Sequence, residues 1–476
     1  MLKRLIYQCL TLSVMALSFV ACTPAIVQKS ANKNVPASYS DSQDTTNVAK
    51  LEWKEFFTDP YLIALIDTAL KNNQELNITL QEIEIERNEI RARKGEYLPF
   101  LDLRAGAGVE KVGRYTHQGA TDATTEFEEG KEMPDPLQDY LFGAFASWEV
   151  DIWHKLRDAK NAAVLRYLSS VEGKNFMVTR LVAEIANSYY ELMALDNQLE
   201  ILQTNIDIQK DALEIVKLQK NAARVTELPV RKFEAEVLKN QSRTYYIRQN
   251  IIEIENRINF LIGRYPQPVL RNSQWFTTLT PNDIYAGVPA QLLENRPDVK
   301  EAELELAAAN MDVRVAKANF YPSLGISAGV GLQAFSSEYF LKAPESMLYS
   351  LAGDLTAPLI NRNAIKALYY SASAKQVQAV YNYERTVLNA YIEVASELAR
   401  IINLQKSYDL KTREVLALTE SITISNSLFK SARADYMEVL LTQRDALESK
   451  FELIETKREQ LNAMVNIYQA LGGGWN

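Results

Sequence analysis

The sequence predicts a mainly α chain with a small β part suited to a transmembrane barrel, built as two internal structural repeats. Three observations carry this expectation. No Gly or Pro occurs from Leu359 to Leu471, and Ala144 to Ile262 holds only Gly173 and Pro229. Segments so poor in breakers read as helices far longer than the globular average. The stretches "LPFLDLRAGAGVEKV" (98–112) and "YPSLGISAGVGLQAF" (321–335) share a Pro-led turn and a period-two alternation. The segments around both stretches also match each other at nearly constant offsets.

The amino terminus reads as an export address. Lys3 and Arg4 precede an apolar run from Leu5 to Val20, then a small residue and Cys22. This is a secretory signal, too short and wrongly flanked for a retained membrane helix. "FVAC" resembles a bacterial lipobox, with Phe19 where Leu is usual, so Cys22 is expected to be acylated as the first mature residue. Ordinary cleavage near Ala21 is the plain alternative. Either way Cys9 is removed, no intrachain disulfide is expected, and the fold relies on packing. The mature chain holds 50 basic against 60 acidic residues.

Placing Pro99 on Pro322 sets an offset of 223, which aligns Arg91 with Arg314, Lys94 with Lys317 and "NNQEL" (72–76) with "NRPDV" (295–299). Farther on the offset is 209, which aligns Leu156 with Ile365 and "NAARVTELPV" (221–230) with "KSARADYMEV" (430–439). The difference falls in a polar, turn-rich interval of the first copy, 113–140, which is expected to be a surface loop. Each copy then reads helix, strand, loop, strand, two long helices.

In the strands, Leu101, Leu103, Ala105, Ala107 and Val109 share one face, opposite Asp102, Arg104, Gly106, Gly108 and Glu110. Leu324, Ile326, Ala328, Val330 and Leu332 repeat the pattern, as do Tyr349, Leu351 and Leu355, while 141–150 alternates less cleanly. Outer-membrane strands look like this, and so do half-buried strands of soluble sheets. Four strands are too few for a membrane barrel, which needs about eight to close. An open sheet in lipid would leave unpaired edges, so membrane strands here require several chains to share one barrel.

The helices carry a seam. Positions 181, 185, 188, 192, 195, 199, 202, 206, 209, 213 and 216 step by four and three and are apolar except for Ser188 and Gln209. That is a heptad pattern, with a looser version around Val415, Leu418 and Ile422. A helix from Arg157 to about Ala223 would rise about 100 Å. A second helix is expected to return after a break near Pro229. A plain coiled-coil rod has the same seam but no use for paired amphipathic strands.

Other functions are disfavoured. An acidic chain does not suit a nucleic-acid groove. "GISAG" (325–329) fits a nucleophile elbow, but it lies in an alternating strand and its counterpart is "DLRAG". His117 and His154 are the only histidines, no zinc set or nucleotide loop is present, and no enzyme activity or cofactor is expected. Trp148 and Trp153 fit either an interfacial girdle or corner packing.

The chain resembles the TolC-like outer-membrane factors of tripartite efflux and export systems, in their lipoprotein branch. The likeness spans nearly all of the mature chain. It rests on "WKEFFTDPYLIALIDTALKNNQEL" (53–76), "SWEVDIWHKLR" (147–157), "LLENRPDVKEAELEL" (292–306) and "LTAPLINR" (355–362), and on "AYIEVASELA" (390–399), "ADYMEVLLTQRDAL" (434–447) and "YQALGGGW" (468–475).

The resemblance implies a homotrimer forming one twelve-stranded outer-membrane barrel, four strands per chain, continued by a periplasmic α-helical barrel. It implies a passive duct for drugs, toxic compounds or metals, engaged by a periplasmic adaptor and an RND-type or other inner-membrane pump. A lipid-anchored periplasmic coiled-coil or adaptor protein is the alternative. The implied partition is signal peptide 1–21, anchored segment 22–50, first repeat 51–270, linker 271–290 and second repeat 291–476. Adaptor-contacting helix tips fall at Ala223, Arg224 and Val225 and at Ala432, Arg433 and Ala434, where the family often has Gly in place of Ala223 and Ala432. Glu438 takes the place of an acid at the periplasmic aperture, Leu441 replaces a second acid, and Pro229 takes the lining place in the first copy. A solvated helix-face carboxylate is the plain reading of Glu438.

Overall fold

The computed structural model describes residues 24–26, 28–39, 46–279, 285–360, 362–431 and 433–475. The signal segment, Cys22 and Ala432 lie outside the described residues.

Eleven elements matter here. The first series is α1 (Pro60–Asn72), α2 (Gln74–Tyr97), β1 (Phe100–Glu110), β2 (Leu137–Val150), α3 (Lys155–Asn221) and α4 (Glu227–Leu261). The second is α5 (Pro297–Ala318), β3 (Ser323–Ala334), β4 (Met347–Thr356), α6 (Asn363–Lys430) and α7 (Tyr436–Ala470). The lengths agree between series: 67 and 68 residues for α3 and α6, and 35 each for α4 and α7. Among the described residues no helix is long and apolar enough to cross a membrane.

The interval between β1 and β2 is more ordered than a plain loop. It holds a short helix, His117–Asp122, capped by the Thr116 hydroxyl, and a small hairpin of Glu126–Glu128 with Lys131–Glu132. Its last residues, from Leu137, belong to β2.

One compact unit gathers Glu84–Leu168 and Leu304–Tyr381 with the described residues up to Ser30, 24–26 and 28–30. Its four-stranded antiparallel sheet runs in the order β1-β2-β3-β4. Val313, Ala316, Phe320 and Tyr369 form the core at one end of it. The strand-to-helix corners are fastened by side chains. Trp148 Nε1 donates to the Tyr97 carbonyl at 3.1 Å, and Trp153 Nε1 donates to that of Pro322 at 2.7 Å while its ring stacks on Tyr321. Asp151, buried, accepts from the N–H groups of Leu156 and Arg157 and so caps α3, whose first N–H groups would otherwise be orphans.

The other unit gathers Ala31–Ile83, Ser169–Glu303 and Asn382–Asn476. The heptad seam of α3 is its spine: Leu181, Ile185, Ser188, Leu192, Leu202, Ile206, Gln209, Leu213 and Val216 are all buried. Asp59 caps α1 and also accepts from the buried Tyr189 hydroxyl at 2.8 Å, tying α1 to α3. Tyr468 of α7 stacks on Phe56 at 4.0 Å and donates to the Leu51 carbonyl.

Matching contacts close both series in this unit. Asn73 Nδ2 donates to the carbonyl of Leu261, the last residue of α4, at 2.8 Å. Arg296 donates at 2.8 Å to the carbonyl of Ala470, the last residue of α7, and also binds Asp298 and Glu393.

Candidate functional site

The register sorts the sheet into two unlike faces. Leu103 lies opposite Ala144, Ala144 opposite Val330, and Val330 opposite Tyr349. One residue along, the row reads Asp102, Phe145, Gly329 and Ser350. The first face is apolar across all four strands and open to the outside, with Leu103 75%, Tyr349 86% and Leu351 80% exposed. Isolated exposed apolar residues mean little, but a continuous band of them is an interaction surface.

The second face is more polar. A cavity of about 750 Å³ is lined by residues of all four strands, among them Phe100, Ser147, Gly325 and Asp354, with Arg93 of α2 and Lys155 of α3. The uneven alternation of β2 is resolved by this register. Phe145 lies on the polar face against Gly329, where a Cβ would meet its ring at 2.7 Å, with the Arg104 guanidinium 4.9 Å from the ring centre. Ser327, the elbow-like serine, is a mid-strand residue opposite Ser147 and Ala352.

Among the described residues β1 pairs only with β2, and β4 only with β3. Each outer strand keeps a bare edge. Such edges are templates for pairing, and hydrocarbon does not tolerate them.

The turn between α3 and α4 spans 222–226, so Pro229 lies inside the first turn of α4 rather than at the break, a position that proline tolerates. Ala223 has φ +52°, its N–H donates to the Lys220 carbonyl at 2.8 Å, and the Arg224 N–H donates to that of Gln219 at 2.9 Å. This is a Schellman ending built on a non-glycine residue. In the turn between α6 and α7 the Arg433 N–H makes the equivalent bond to the Leu428 carbonyl.

Beneath the turns, Leu213 and Val216 of α3, Val230, Phe233 and Val237 of α4 and Val439 of α7 form one apolar cluster. Around it the two series differ. Lys220 and Arg231 both pair with Glu227, and the hydrogen bond from Lys220, with the nearby Arg231, holds the Glu227 carboxyl below the usual range. The residues 209 positions on, Phe429, Tyr436 and Leu440, are apolar and pack on the cluster instead.

Of the residues singled out from sequence, Ala223, Arg224 and Arg433 are exposed at the turns, while Val225 packs on the cluster and Ala434 is half-buried. Glu438 is exposed in the first turn of α7 and has no ion-pair partner among the described residues. Pro229 is buried within the chain, whereas its neighbour Leu228 is 57% exposed. Sequence reasoning missed the Asp151 cap, the Arg296 hub and the placement of Phe145. The only signals for these were a lone Asp before a helix and a charged residue beside Pro297.

The model of the outer membrane efflux protein family matches residues 65–264 and 288–473. The pyoverdine export outer membrane protein OpmQ of Pseudomonas aeruginosa is 27% identical over 471 residues, covering 99% of this chain and 96% of its own. The probable outer membrane lipoprotein SilC of Salmonella typhimurium is 25% identical over 448 residues, 93% of each chain. The crystal structure of a membrane protein from Pseudomonas aeruginosa superposes with a TM-score of 0.84 at 23% identity, over 95% of this chain and all of its own, which establishes likeness of fold.

Proposed function

This chain belongs to the outer membrane efflux protein family, and on that premise we propose that three copies close one twelve-stranded barrel, four strands from each, continued into the periplasm by their long helices. The assembly is the passive outlet of a tripartite efflux system. An inner-membrane pump, RND-type or other, delivers small molecules to it through a periplasmic adaptor that docks at the two helix tips. Cys22 carries the lipid, and Glu438 contributes to a ring at the periplasmic aperture. The chain is two repeats, 51–270 and 291–476, around a linker at 271–290.

One observation carries this reading: a four-stranded sheet with an exposed apolar band on one face, a more polar opposite face and two bare edges. A lipid-facing exterior and a wet lumen require those faces. Edge-to-edge closure by other copies is the arrangement that leaves no backbone group unpaired in hydrocarbon. The matching contacts of Asn73 and Arg296 support duplication.

Detergent-solubilised mass and heat-modifiable migration of the outer-membrane fraction test the proposal. A trimer that collapses to monomer only on boiling is expected. A monodisperse single chain in buffer without detergent would instead favour a lipid-anchored coiled-coil protein.

A further inference from the structure

Gln209 of α3, Asn240 of α4 and Gln443 of α7 are each 1% exposed, and together they form a polar layer across the helical wall. On one side lies the apolar tip cluster of Leu213, Val216, Val230, Phe233, Val237 and Val439. On the other lies a separate cluster of Leu202, Ile206, Ile247, Leu447 and Phe451. Each amide sits between members of both: Gln209 between Ile206 and Leu213, Asn240 between Val237 and Ile247, Gln443 between Val439 and Leu447.

The layer is under-bonded. Asn240 Nδ2 donates to Gln209 Oε1 at 2.9 Å, but Gln209 Nε2 and both amide atoms of Gln443 have no partner among the described residues. The side-chain oxygen of Asn205, one turn before Gln209, is likewise buried and unpartnered among the described residues. Leucine at these seam positions would fuse the two clusters. Polar residues there give up stability, and coiled coils accept that loss where the arrangement of helices must be controlled. An amide carries both donor and acceptor groups, so it can exchange partners when neighbouring helices slide, whereas interlocked apolar side chains cannot.

We propose that this amide layer is a joint. It uncouples the tip bundle from the rest of the helical wall, so that the tip can repack while the second cluster stays fixed. What the repacking opens rests on the duct reading above; the uncoupling does not.

Hydrogen exchange on the detergent-solubilised full chain tests the joint directly. Protection in α3 is expected to change abruptly between Ile206 and Leu213, with the tip side exchanging at least about tenfold faster. A gradual decline toward Asn221 with no step at Gln209 overturns the proposal. In a Gln209→Leu, Asn240→Leu, Gln443→Leu variant the step should vanish, and single-channel openings should fall by about tenfold if tip release is the opening event. A folded variant that keeps the step overturns the proposal too. Should the triple variant fail to fold, Gln443→Met is judged by the same criterion. Wild-type protein that shows the step but conducts no current refutes the duct and leaves the joint standing.

Discussion

Gly263 stands at φ +69° against the carbonyl oxygen of Asn72, 2.5 Å from where a Cβ would sit, and Gly472, at φ +92°, stands 2.6 Å on the same measure from the carbonyl oxygen of Asn295. Both lie in the turns that follow the returning helices; Gly263 closes on the last residue of α1, and Gly472 on Asn295, two residues before α5 begins. Gly263→Ala and Gly472→Ala should each cost at least about 2 kcal/mol, from the left-handed backbone and the clash together. The measurement is the temperature at which helical circular dichroism is lost. A shift no larger than that of an exposed control substitution would show that these turns relax freely.

At Ala223 a non-glycine residue occupies the same left-handed region. It adopts φ +52° at an open turn, where glycine has no steric penalty. Ala223→Gly should therefore raise stability, by up to about 1 kcal/mol after the entropy that glycine adds to the unfolded chain. Glycine is thus favoured at both positions, and the two reverse substitutions, Ala223→Gly and Gly263→Ala, give opposite signs. Thermal melts of the two variants check this.

The two faces of β4 make a paired prediction. Leu351→Arg places a charge on the apolar band and should cost about 2–4 kcal/mol near a bilayer midplane. Ala352→Arg, one residue along on the more polar face, should be tolerated. Recovery of heat-modifiable oligomer from outer membranes separates them. Equal recovery would contradict the assignment of the faces.

Glu438 is testable at the level of current. In the proposed duct, three such carboxylates in a narrow aperture favour cations. Glu438→Ala should reduce cation preference in planar bilayers and leave assembly intact. Unchanged selectivity would make Glu438 an ordinary solvated carboxylate.

Lys457 offers a pH test. It is buried, its amine lies 5.1 Å from the Tyr408 ring centre, and it has no ion-pair partner among the described residues. Burial pushes its pKa below the ordinary lysine value. The unfolded chain therefore binds the proton more readily, and stability should rise with pH between the lowered native value and the ordinary one. As pH falls through that window the benefit is lost. Lys457→Met should be more stable at neutral pH and lack this alkaline rise. A variant with the parent's pH profile would assign the rise to other groups.

Much of the architecture was readable from residue order because it rests on local rules. Missing breakers gave α3 and α6 their length, and the seam from Leu181 to Val216 is buried except at Leu195 and Leu199, which are half-buried. Features set by distant partners were not readable. Phe145 breaks the alternation of β2 because Gly329 on another strand leaves room for it. The burial of Pro229 is likewise a tertiary feature: Val230 and Phe233 beside it on α4 pack in the tip cluster. Asp151 and Arg296 bind backbone groups that only the folded chain brings near.

The bare edges of β1 and β4 have a genetic consequence. In any ring sealed edge to edge, every subunit contributes to two seams, so a copy damaged at one edge spoils its neighbours' work as well as its own. Alleles altered along Phe100–Glu110 or Met347–Thr356 should thus be dominant when co-expressed with the intact gene, whereas alleles that abolish synthesis should be recessive.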